Sequence, residues 1–130
     1  QKAAVKIDRR NLDNEESMME KPVINTEMKG SVAVITVNGR IDSETSPALD
    51  VELTKAASGN SKLVIDLKGV DYMSSAGLRA ITKASQAAEE KGGAVKLASV
   101  PEEINSVMYT VGLNQKISSY ATVDEAVASF

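Results

Sequence analysis

The run "KLVIDL" at residues 62–67 is short and almost continuously apolar, as expected of a strand covered on both faces and too brief for a buried helix. Behind it, after "KGVDYMSSAG", comes a stretch with apolar residues at helical spacing, Leu78, Ile81 and Ala84, which ends at Gly92-Gly93. A doubly covered strand that hands over directly to an amphipathic helix is half of a βαβ unit, and such units require a sheet with helices packed against it.

The rest of the chain repeats this alternation. "VINTEMKG" and "SVAVITVNG" are β-rich runs around Lys29-Gly30 and read as a hairpin. In "SETSPALDVELTKAASGN", Pro47 suits a first helical position behind Ser46. Leu49, Leu53 and Ala56 give the inner face, and Gly59-Asn60 stops the helix. "AVKLAS" is a further strand. Pro101 then opens "PEEINSVMYTVG", where Ile104, Val107, Met108 and Val111 form a helical stripe closed by Gly112. Met108 belongs to that stripe and reads as core. "KISSY" is a last short strand, and Thr122 with Glu125 makes a capping box before a helix whose inner face is Val123, Ala126, Val127 and Phe130. The order is ββαβαβαβα, an α/β fold with a mixed or largely parallel central sheet and about four helices. Residues 1–21 are polar and mixed in charge, and read as a tail, a linker or an expression remnant, helical in places; the domain proper is expected over 22–130. The chain starts at Gln1, which suits trimming from something longer.

Absent residue types narrow the chemistry. No cysteine is present, which removes disulfides, thiol chemistry and cysteine-ligated metals, and suits a reducing cytoplasm. No histidine is present, so a Ser-His-Asp triad, a histidine-ligated zinc and a phosphohistidine relay are excluded within the chain. The formal net charge of -3 offers no basic face for nucleic acid, and no apolar run approaches the roughly 20 residues that span a bilayer. Neither a catalytic constellation nor a cofactor or metal motif is visible, and the size and charge are compatible with a monomer.

In sheets of this kind, function gathers beyond the carboxyl ends of the strands. The loops "NGRIDSETS", "VDYMSSAG" and "ASVPEE" lie there if the strands are parallel, which brings Asp42, Ser74 and Ser75 to one edge. The serine pair admits four readings. As a nucleophile it lacks a base and the G-x-S-x-G frame. As a phosphate cradle its loop is poor in glycine, with Gly77 alone. A plain N-cap suits either serine. A phosphoserine is comfortable at a helix start too, though the local pattern alone favours the cap. Asp42 is open to two readings, a turn residue or a contact for a partner.

"VNGRIDSETSPAL" (37–49) and "LVIDLKGVDYMSSAGLRAI" (63–81) resemble the signature segments of the STAS domain of bacterial anti-sigma factor antagonists, and with the order of elements they extend the resemblance from about Val23 to Phe130. The resemblance implies a phosphorylation-controlled antagonist, not an enzyme, that binds an anti-sigma factor with serine kinase activity and releases its sigma factor. A phosphatase would reset it. Ser75 matches the serine that is phosphorylated, Asp42 an acidic residue near it in partner binding, and Gly77 the glycine that lets the helix start close to the partner. Ser74 stands where the family often has aspartate, one negative charge fewer beside the acceptor. STAS-like domains also serve as regulatory or scaffold subunits of transport systems, including lipid-trafficking ABC complexes, or of multidomain regulators, which is the alternative reading.

Overall fold

A computed structural model describes residues 23–130; the expected tail, residues 1–21, lies outside the described residues. The chain runs β1 (Val23–Lys29), β2 (Val32–Ile41), α1 (Ser46–Gly59), β3 (Lys62–Met73), α2 (Ser75–Glu90), β4 (Ala94–Ala98), α3 (Glu102–Thr110), a 3-10 turn (Leu113–Gln115), β5 (Ser119–Tyr120) and α4 (Val123–Ala128). The order is the ββαβαβαβα expected. The strands form a single sheet in the order β1-β2-β3-β4-β5, with β1 antiparallel to β2 and every other pair parallel.

Parallel strands that advance across a sheet in one direction through right-handed crossovers carry their helices on one face. Accordingly α1, α2 and α3 share a face, and their buried residues Leu49, Leu53, Ile81, Ile104 and Met108 meet Ile35, Val37, Leu63, Ile65 and Leu97 of the strands. The alternate strand residues Val32, Val34, Val64 and Ala98 point the other way. There α4 covers them with Ala126, flanked by the half-buried Val123, Val127 and Phe130. The Thr122 hydroxyl accepts from the Glu125 N–H, 3.1 Å, as the capping pattern predicts. Lys96 of β4 pins the far end of α4: its Nζ donates to the Ser129 carbonyl and hydroxyl at 3.0 and 2.8 Å and lies 4.3 Å from the Phe130 ring centroid.

Three departures from the sequence reading concern the helices and the last strand. Ser46 is itself the first residue of α1 and is buried, with Thr45 before it and Pro47 second in the helix. Val107 and Val111 were expected to face inward with Ile104 and Met108, yet they are 43% and 61% exposed. Helix α3 has nine residues and touches the core through Ile104 and Met108 alone, an i, i+4 pair one turn apart, so the outer half of the stripe has nothing to cover. The last strand is two residues long rather than five, because Leu113 and Ile117 turn into the core ahead of it.

Candidate functional site

Strand β3 does not end with its apolar run. It continues through Gly69 to Met73, and β2 keeps pace by two register shifts, one between Thr36 and Asn38 and one between Gly39 and Arg40. Gly39 has φ +114°, a conformation that residues with a side chain rarely adopt, so the second shift falls where glycine permits it. The result is that Ile41 and Met73 end their strands as partners. Asp42 and Ser74 therefore leave the sheet side by side, and the Ser74 N–H donates to the Ile41 carbonyl at 2.7 Å. The expected meeting of Asp42, Ser74 and Ser75 on one edge is what the structure shows. "ASVPEE" follows β4 at the same end of the parallel strands, with Ser99 at φ +55°.

The two serines have separate positions. Ser74, half-buried and extended at φ -82° and ψ 171°, is the N-cap of α2; its hydroxyl accepts from the Gly77 N–H at 3.4 Å. Ser75 is the first helical residue and is exposed, and its hydroxyl makes no hydrogen bond among the described residues. The capping requirement is thus met by Ser74 and leaves Ser75 open to solvent.

Gly77 is buried. A Cβ there would lie 2.3 Å from Met73 Sδ and 2.6 Å from Ile41 Cγ2. The missing side chain lets α2 start directly on the ends of β2 and β3. Packing inside the chain accounts for this glycine, and only its backbone is left for the partner contact expected of it.

Asp42 organises the turn before α1. Its Oδ1 accepts from the N–H groups of Glu44 and Thr45, both at 3.0 Å, and its Oδ2 from Arg40 Nε at 3.1 Å. Its own N–H donates to the Thr45 hydroxyl, 2.8 Å, which in turn donates to the Arg40 carbonyl, 2.8 Å. The Thr45 N–H, first among these donors, holds the Asp42 carboxyl below its usual value of 3.8, against the opposing effect of partial burial. A folded pKa lowered in this way contributes stability above the unfolded value, and that contribution is lost as pH falls through the folded value. Asp42→Asn is therefore expected to be less stable than the parent at about pH 7, and the gap should narrow at acidic pH, below the usual carboxyl value of 3.8. Urea unfolding at both pH values checks this, and a gap that stays constant with pH would contradict it.

Two features of this edge escaped the sequence. Arg40 stacks on Tyr72, its cross-strand neighbour, with the guanidinium 4.2 Å from the ring centroid, while holding Asp42 on its other side. A groove of about 260 Å³ beside Ser75 is lined by Leu78, Arg79, Val111, Leu113 and Lys116. Lys116 reaches it from a distant loop, which no local pattern could announce. Among the described residues no cluster of three or more acidic or other metal-ligating side chains occurs, and no helix is long and apolar enough to cross a membrane.

Comparison with known proteins yields a match to the STAS domain family model over residues 23–126. The anti-sigma-B factor antagonist of Bacillus subtilis (strain 168) is 31% identical over 106 residues, which is 80% of this chain and 97% of that protein. The crystal structure of an anti-sigma factor antagonist from Mycobacterium paratuberculosis superposes with a TM-score of 0.77 at 24% identity, covering 84% of this chain and 93% of the other. The phosphorylated form of the Bacillus cell fate determinant SpoIIAA superposes with a TM-score of 0.66 at 18% identity, covering 82% and 98%.

Proposed function

Because the chain belongs to the STAS domain family, matched over residues 23–126, we propose that it is an anti-sigma factor antagonist switched by phosphorylation of Ser75. The unmodified edge, with Ser75 exposed between the Asp42 turn and the start of α2, binds an anti-sigma factor that is also a serine kinase, and the sigma factor is released. Phosphorylation ends the interaction and a phosphatase restores it. The chain works in the cytoplasm, without cofactor or metal, and is itself no enzyme.

One observation carries this reading. Of two adjacent serines, one is tied into the helix cap and the other is exposed and unbonded at the helix start. A modification at Ser75 therefore leaves the cap intact, and a phosphate at that position is favoured by the positive end of the helix. The name of the Bacillus subtilis relative and the solved phosphorylated form of SpoIIAA point the same way. In the transfer, the γ-phosphorus of ATP bonds to Ser75 Oγ, the bond to the bridging oxygen breaks to give ADP, and the serine proton passes to a base. In this reading the kinase supplies the nucleotide and the base.

The test is peptide mass spectrometry after incubation with ATP and candidate kinase-type anti-sigma factors. One phosphate is expected on the wild type and on Ser74→Ala, and none on Ser75→Ala. Ser74→Ala should also lose about 1 kcal/mol of stability, the usual cost of removing a cap, whereas Ser75→Ala should lose little. Phosphate retained in Ser75→Ala and lost in Ser74→Ala would move the switch by one residue. No phosphate with any candidate would favour a STAS subunit of a transport system or a multidomain regulator.

A further inference from the structure

We propose that a phosphoryl group on Ser75 is gripped within the chain by Arg79 and Lys116, so that modification closes the groove beside the serine as well as charging it. The inference rests on the reading of Ser75 as the acceptor, and concerns where its phosphate goes.

Ser75 and Arg79 are four residues apart on α2 and therefore neighbours on one helix face. Both line the groove of about 260 Å³ that Lys116 completes from the loop after the 3-10 turn. Leu78, Val111 and Leu113 give this groove its apolar lining, with Thr82 beside them. Arg79 and Lys116 are the charged groups on its lining, and no carboxylate lines it. Neither cation makes an ion pair among the described residues, in contrast to Arg40, held by Asp42 at 3.1 Å, and Lys83, held by Asp50 at 3.3 Å. The groove thus offers two uncommitted cations beside a hydroxyl. A guanidinium can engage two phosphate oxygens at once, and an ammonium the third. A phosphate drawn down onto them lies across Val111 and Leu113 and withdraws that apolar surface from any partner.

The experiment uses the full chain with phosphoserine inserted at position 75 during translation, so that no kinase is needed. Phosphorus NMR then follows the second ionisation of the phosphate, which is near 6 in free phosphoserine, in the parent, Arg79→Gln, Lys116→Gln and the double variant. The positive end of α2 acts on all four alike, so the differences isolate the two cations. The parent is expected to titrate below the double variant by about one unit, with each single variant between them. Identical titration of all four would overturn the proposal. Both side chains are exposed, so folding should survive; Arg79→Lys, which keeps charge but loses the fork, is the second variant, expected between the parent and Arg79→Gln. A chain that no kinase modifies but whose inserted phosphate titrates low keeps the clamp and removes the switch. A chain that is modified but whose variants titrate alike keeps the switch and removes the clamp.

Discussion

Gly77→Ala should cost about 3 kcal/mol of folding stability, at the upper end of what an overpacked methyl group costs in a dense core. Away from such crowding, alanine would be the better helix residue by up to about 1 kcal/mol. That gain is outweighed because the new Cβ falls 2.3 Å from Met73 Sδ and 2.6 Å from Ile41 Cγ2, both at the fully formed ends of β2 and β3. Met73 can yield at its sulfur, but Ile41 is completely buried and β-branched, so α2 must lift or the strand ends must part. Either movement disturbs the Ser74 cap and the spacing of Ser75 from the Asp42 turn. Gly59→Ala is the control: nothing lies within 4 Å of a Cβ there. Chemical denaturation of both variants decides it, and a Gly77→Ala protein as stable as Gly59→Ala would mean that α2 does not seat on the strand ends as described.

The elements around this glycine show which parts of the fold could be read ahead of the structure. "KLVIDL" announced a strand covered on two sides because it is covered on two sides: Leu63, Ile65 and Leu67 face the three-helix layer, and Val64 faces the α4 side. Period alone could not say that α4 takes the second face, since an inner stripe looks the same whichever face it meets. The stripe of α3 misled for a related reason. Val107 and Val111 satisfy the helical period, but α3 reaches the core along one edge only. The adjacency of Asp42 and Ser74 followed from parallel strands. The division of labour between the serines did not, because either is a good cap and the outcome depends on where β3 stops. In the sequence, Asp42 suits a turn role and a partner role alike. Its carboxylate is committed to the turn by the N–H groups of Glu44 and Thr45 and by Arg40.

Phosphoserine at position 75 should weaken binding to a kinase-type anti-sigma factor by at least about 100-fold, roughly 2.8 kcal/mol at 1.4 kcal/mol per tenfold change. The size follows from what the edge contains. Unmodified, Ser75 presents a small neutral hydroxyl beside a groove lined by Leu78, Val111 and Leu113 as well as by Arg79 and Lys116, and an interface formed there removes the hydroxyl and the apolar lining from water. A phosphate carries about -1.5 to -2 charges, and burying it without new partners costs several kcal/mol, more than a hydroxyl contact returns. Retention of the phosphate by Arg79 and Lys116 would lower its own cost, yet would still cover the groove, so relief of the charge does not restore the interface. Ser75→Ala removes the hydroxyl but adds neither charge nor bulk, and should stay within a few-fold of wild type, since an exposed neutral hydrogen bond is worth about 1 kcal/mol. Ser75→Glu, with one charge and a shorter reach, should fall between. Calorimetric titration of the four proteins into one anti-sigma factor separates these cases. Equal affinity of the phosphorylated and unmodified chains would mean that the partner docks elsewhere on the fold, and that the exposed serine at the start of α2 is outside its footprint.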